Sequence, residues 1–74
     1  MIARLTWQPD DTHLPETLTV DMPATGVSEL HSLLTAGAYF GDTVMWIPVR
    51  NDDGTYTPRL FRLARITAIE EQPR

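Results

Sequence analysis

Cysteine is absent from the 74 residues, so neither a disulfide framework nor a zinc–thiolate site is available. That absence fits a reducing compartment. Lysine is absent too: all six basic side chains are arginine, a planar bidentate donor rather than a point charge. Positive charge is scarce overall, and the net charge of −4 argues against non-specific nucleic-acid binding, which rests on neutralising phosphates. No apolar run approaches the roughly 18 residues of a membrane span, and no basic stretch leads into an apolar signal segment. A soluble, cytoplasmic protein is the expectation.

The catalytic vocabulary is equally thin. His13 and His31 are the two histidines, with neither HExxH nor paired spacing between them. Ser28, His31 and Ser32 are helix neighbours, but no acid is placed by sequence to orient the imidazole. No glycine-rich phosphate loop occurs. Asn51-Asp52-Asp53-Gly54 invites a calcium-loop comparison and fails it. The first ligand position would be Val49 and the twelfth Leu60. An enzyme, a metal site and a cofactor are therefore not expected.

What is present reads as one small domain over residues 1–74, near the lower size limit for folding without crosslinks. Such a chain buries only about 60% of its unfolded surface, so its core must be well packed or shared with a partner. The initiator methionine and the lack of tag, linker or repeat suggest a complete small protein.

Met1, Ala3, Leu5 and Trp7 alternate with Ile2, Arg4 and Thr6, a half-buried strand. A polar turn follows, Gln8 to His13. Glu16 to Met22 alternates again, with Leu18, Val20 and Met22 inward, and pairs with the first strand. Pro23 ends it. Val27, Leu30, Leu33 and Leu34 form one helical stripe over about 27–36. Thr25 or Gly26 is the expected N-cap, Glu29 complements the positive helix start, and Gly37 is the stop.

The last third is expected to be a long hairpin. Strand three is Thr43 to Arg50, and Pro48 within it predicts an edge strand or a bulge. Asn51 to Thr55 carries the Asp-Gly turn signal. Residues 59 to 70 favour a strand with a bulge near Ala64-Arg65, which would keep Phe61, Leu63, Ile66 and Ile69 all buried. The rival is a helix, since Leu60, Leu63, Ala64 and Thr67 fit a 3.6 period. The expected class is α+β: one short helix on a four-stranded, mainly antiparallel sheet, ordered β-β-α-β-β.

Two groups are candidates for contact. Arg50, Arg59, Arg62 and Arg65 concentrate on the C-terminal hairpin, where they suit phosphate or an acidic partner. Charged residues also guard edge strands against wrong pairing. Tyr39, Phe40 and Trp46 are the second group, aromatics of the type that dominate interface hot spots. Such rings also plug the end of a small core. The acidic pairs Asp10-Asp11, Asp52-Asp53 and Glu70-Glu71 suit turns and strand ends, with a negative docking surface as the other reading.

Phe61-Arg62-Leu63-Ala64-Arg65-Ile66, with Trp46-Ile47-Pro48-Val49 fifteen positions earlier, resembles the end of a WYL domain. The resemblance covers about a third of the chain, Trp46 to Ile66, and implies an Sm-like β-barrel that senses ligands or nucleic acid through Arg62 and Arg65. The sequence departs from that family at Ile47-Pro48 and Ala64, and has no helix-turn-helix. In kind, a short, acidic, cysteine-free chain without a catalytic set is similar to the accessory proteins of phages and mobile elements, anti-CRISPR inhibitors among them. The leading expectation is a non-catalytic protein-binding module that inhibits or modulates a host complex stoichiometrically. Its expected contact surface is Tyr39, Phe40, Trp46, Arg50, Arg59, Arg62 and Arg65. An Sm-like ligand- or nucleic-acid-sensing module is the alternative, and homodimerisation through an edge strand is a third reading.

Overall fold

A computed structural model describes residues 1–37 and 39–72. Five strands and one helix follow in the order β1 (Ile2–Trp7), β2 (Glu16–Asp21), α1 (Ala24–Thr35), β3 (Val44–Arg50), β4 (Tyr56–Arg62) and β5 (Ile66–Glu71). The class is α+β, but the sheet has five strands rather than four. Its order is β4-β3-β2-β1-β5, with every neighbouring pair antiparallel.

The extra strand comes from the C-terminal run. A single bulged strand was expected over residues 59 to 70; instead a 3₁₀ turn at Leu63–Arg65 divides it. All four apolar residues reach the core as anticipated: Phe61, Leu63, Ile66 and Ile69 are buried. A full turn, rather than one extra residue, changes their parity and swings the chain to the far side of the sheet. The helical period of this stretch is realised only in those three residues.

That turn dictates the shape of the sheet. β4 and β5 are the two edges, yet three residues join them. Four strand spacings in a flat sheet separate the outer strands by about 19 Å, whereas three 3₁₀ residues rise about 6 Å. The sheet must roll, and the shift in β1–β5 pairing between Thr6 and Trp7 supplies local bending. Inside the roll lies one core: Ala3, Leu5 and Trp7 of β1, Val20 of β2, Ile47 and Val49 of β3, Phe61 and Ile69, closed by Met22, Val27 and Leu30. Alternation along β1 and β2 places these side chains as expected. Register confirms it, with Leu5 opposite Leu18 and Ala3 opposite Val20.

The helix packs mainly against β5. It starts three residues earlier than its apolar stripe suggests, because Pro23 is the N-cap residue and its carbonyl accepts the Val27 amide at 3.0 Å. Thr25 and Gly26 therefore lie inside the first turn and cap nothing. Glu29 falls beyond it, too far along to complement the helix start. The stop is as expected: Gly37 takes a left-handed φ of 70° and donates to the Leu34 carbonyl.

Pro48 does not mark an edge. β3 lies between β2 and β4 and is interior. Pro48 faces Pro58 across the hairpin, and a hydrogen-bonded antiparallel pair needs an N–H from each residue, so this pair is of the non-bonded kind. The missing donor of Pro48 therefore faces β2, where the pairing is reduced to Val20 opposite Val49. The hairpin turn closes through Asn51 N–H to Thr55 O at 2.7 Å and Gly54 N–H to Asn51 O at 3.0 Å. Gly54 has a φ of 86° with open space where a Cβ would stand. Gly54→Ala is thus expected to cost about 1 kcal/mol from backbone strain alone, lowering the melting temperature by about 4–8 °C; Gly54→Asn will cost less.

Candidate functional site

The β3–β4 hairpin has two unlike faces. On β3, Ile47 and Val49 turn into the core, so Val44, Trp46, Pro48 and Arg50 turn outward. On β4, Phe61 turns inward, so Tyr56, Pro58, Leu60 and Arg62 turn outward. Register stacks these outward residues in four cross-strand rows: Val44 with Arg62, Trp46 with Leu60, Pro48 with Pro58, and Arg50 with Tyr56. Trp46 is 66% exposed, Val44 51% and Leu60 47%. The result is a continuous apolar strip with an arginine at each of two diagonal corners. Six residues of extended chain separate its ends, about 20 Å. Neither Arg50 nor Arg62 has an ion-pair partner among the described residues.

Elsewhere the outer face is mostly polar, with Ile2 as the exposed large apolar side chain of β1. Arg4, Thr6, Thr17, Thr19 and Asp21 line β1 and β2, with Glu70 opposite Arg4. A large exposed apolar strip in one place on such a surface is the mark of an interaction site. The free backbone edge of β4 runs beside it, through Tyr56, Pro58, Leu60 and Arg62. Pro58 removes a donor from the middle of that edge and hinders strand addition.

The four hairpin arginines do not share a face. Arg59 has the parity of Phe61 and reaches over the core mouth: its guanidinium carbon is 5.6 Å from the Phe61 ring centroid and 5.9 Å from that of Trp7. It also meets Glu16 at 3.5 Å, and Glu16 accepts the Trp7 indole N–H at 2.7 Å. Arg59 therefore braces the open end of the roll. Arg65 donates to Asp11 at 2.9 Å, while its carbonyl accepts the Gln8 amide. Those bonds fasten the β1–β2 loop to the 3₁₀ turn. Only Arg50 and Arg62 remain available on the strip.

The aromatics divide as well. Trp46 stands at the centre of the strip. Phe40 is partly buried against the core, beside the helix. Tyr39 is 94% exposed on the loop before β3. Leu60, Tyr56 and the two prolines complete the strip and were not anticipated from sequence. Their shared parity, opposite to that of Phe61, was the signal that identifies them.

Around the β1–β2 loop, Asp10 accepts from the Thr12 hydroxyl at 2.7 Å, the Thr12 and His13 amides, and His13 Nδ1 at 2.8 Å. These bonds, led by the Thr12 hydroxyl, hold the Asp10 carboxyl far below its usual range. The same carboxylate, through its hydrogen bond first, raises the His13 pKa above its ordinary 6.5. The His13 contribution is complete below about pH 6.5 and fades as pH climbs through the raised folded value. The Asp10 contribution is present above about pH 4 and fades as acid protonates the folded carboxylate. Both groups lie at the surface, so the observable is the titration itself. The His13 ring-proton shift is expected to titrate with a midpoint above 6.5, and Asp10→Asn is expected to lower that midpoint.

Among the described residues no cluster of histidine and acidic side chains is arranged to hold a metal ion. A shallow cleft between α1 and β5, about 390 Å³, is lined by Val27, Ser28, His31, Ile69, Glu70 and Glu71 among others. Ser28, His31 and the two glutamates share that lining, and among the described residues no side-chain hydrogen bond joins them. No helix among the described residues is long and apolar enough to cross a membrane. Comparison with protein-family models, curated proteins and solved structures yields no match.

Proposed function

We propose that this chain is a non-catalytic protein-binding module acting in the cytoplasm, and that its contact surface is the outer face of the β3–β4 hairpin. Val44, Trp46, Leu60 and Tyr56 form that surface, with Arg50 and Arg62 at its corners. One observation carries the reading: the only contiguous strip of exposed large apolar side chains in the described sheet lies there. An aromatic at the centre with arginines at the rim has the composition of an interface hot spot. Small accessory proteins of phages and mobile elements work by stoichiometric binding of this kind, and inhibition or modulation of a larger host complex is the role that suits it. Tyr39 is outside this surface, and Phe40, Arg59 and Arg65 serve the fold.

The test is a tagged pull-down from bacterial lysate, with and without nuclease. A protein captured in both arms by the wild-type chain and lost with Leu60→Glu supports the reading. Because Leu60 is half-exposed on the outer face, that variant is expected to melt close to wild type. Capture that persists with Leu60→Glu places the interface elsewhere.

A second reading has its own observation. The rolled sheet, with β4 and β5 joined by a single 3₁₀ turn, suits the Sm-like barrel implied by the hairpin's resemblance to a WYL domain. Its contact pair would be Arg62 and Arg65, but Arg65 is bonded to Asp11. Recovery only in the nuclease-free arm, falling steeply with salt, would favour this alternative.

A further inference from the structure

The strip also constrains what covers it, and this inference rests on the protein-binding reading above. We infer that its occupant is a protein segment with an apolar centre and carboxylates at its two ends, about 20 Å apart. A chain of net charge −4 nonetheless presents, on this face, two arginines and no carboxylate. Of the acids around it, Asp21 stands on the outer face of the neighbouring β2 and is paired with the N-terminal amine at 3.1 Å, and Asp53 in the hairpin loop is turned onto Thr55 through both its amide and its hydroxyl. Arg50 and Arg62 have no carboxylate partner among the described residues. Burying either guanidinium unpaired against an apolar surface is costly, so whatever seals the strip has to bring its own acids to those corners.

A second copy of the chain does not meet that requirement. Stacking two strips face to face about a twofold along the strands lays each Arg62 over the other copy's Val44, one strand spacing from the other Arg62. A twofold across the strands lays Arg50 over Val44 and beside Arg62 of the other copy. Either isologous arrangement brings like charges together and supplies no acid. A nucleic-acid strand fits no better. It offers a charge about every 3.4 Å to a face with two arginines far apart on a net acidic molecule.

The test uses the full chain and three synthetic peptides with the same tryptophan-free apolar segment of about six residues, the extended length that spans the strip. The flanks are paired glutamates, serines or lysines; oligo-thymidine and buffer alone complete the set. Trp7 is buried and Trp46 exposed, so acrylamide quenching reports the cover over Trp46. The glutamate-flanked peptide is expected to protect Trp46 and to bind at least ~10-fold tighter than the serine-flanked one, with the advantage shrinking as salt rises. The lysine-flanked peptide is expected to give no protection to the wild-type chain. In the Arg50→Glu/Arg62→Glu double variant the preference is expected to switch to the lysine flanks. If that variant fails to fold, Arg50→Gln and Arg62→Gln singly will each narrow the glutamate-over-serine ratio. Equal binding of glutamate and serine flanks, protection by oligo-thymidine, protection by self-association in buffer, or no protection by any peptide overturns the inference. Loss of nuclease-resistant capture with Leu60→Glu would still stand in each of those cases, so failure of the acidic-partner idea is separable from failure of the interface itself.

Discussion

Phe61→Ala will remove a large share of the protein's folding stability. Phe61 is fully buried at the point where β4 meets β1 across the roll. Its ring stands edge-on to Trp7, with centroids 4.6 Å apart and planes at 70°, and the Arg59 guanidinium lies close to both rings. Truncating a buried phenylalanine costs about 3–5 kcal/mol, and the lost aromatic pair belongs to the upper part of that range. A 74-residue domain has a total of roughly 4–11 kcal/mol to lose. The expected result is a fall in melting temperature of more than ~15 °C and a urea midpoint less than half that of wild type. Phe61→Leu, which keeps most of the volume, is expected to lose far less. A melt for Phe61→Ala within a few degrees of wild type would mean that the roll closes over some other residue.

Much of this core was legible in the sequence, and the reason is local. Ala3, Leu5 and Trp7, like Leu18, Val20 and Met22, follow the period of a strand with one buried face, which any sheet containing them must respect. The Asp-Gly turn likewise announces its hairpin from four residues. Three features were not legible, and each depends on contacts distant in sequence. The break at Leu63–Arg65 satisfies strand and helix periods equally well; what decides it is the pairing of β5 with β1 some sixty residues away, visible in Leu5 opposite Ile69. Pro48 signalled an edge because a lone missing donor is cheapest there, yet Pro58 opposite it and a thin β2 pairing accommodate it inside the sheet. The helix start is hidden because the apolar stripe begins at Val27, whereas Pro23 sets the backbone one turn earlier.

The candidate site divides along the same line. Trp46, Arg50 and Arg62 follow from parity once Ile47 and Phe61 are assigned inward. The same rule turns Arg59 inward, away from the face that Arg50 and Arg62 share. Arg65 required knowledge of the β1–β2 loop, since Asp11 lies 54 residues earlier in the chain. Tyr39 and Phe40 are adjacent residues with opposite fates, one in solvent and one against the core, which no periodicity in a loop predicts.

Trp46→Ala is the counterpart of the Phe61 truncation, with the effects on folding and binding exchanged. Trp46 touches the fold from outside: two-thirds of its surface is in solvent, and its cross-strand neighbour Leu60 is itself half-exposed. Removing the indole takes away one outer-face pair, worth about 0.2–1 kcal/mol, so the melting temperature is expected to move by only a few degrees. For binding, a central tryptophan sealed by a partner is a hot spot worth about 2 kcal/mol or more, a loss of roughly 30-fold or greater in affinity. Tyr39→Ala removes a still more exposed aromatic outside the strip and is expected to leave affinity unchanged. Titration of each variant against the partner captured in the nuclease-treated pull-down, beside its melt, separates the two roles. Weakened binding by Trp46→Ala with an intact melt, against a silent Tyr39→Ala, places the contact on the strip. The reverse pattern would move the interface to the loop before β3 and leave the strip without a function.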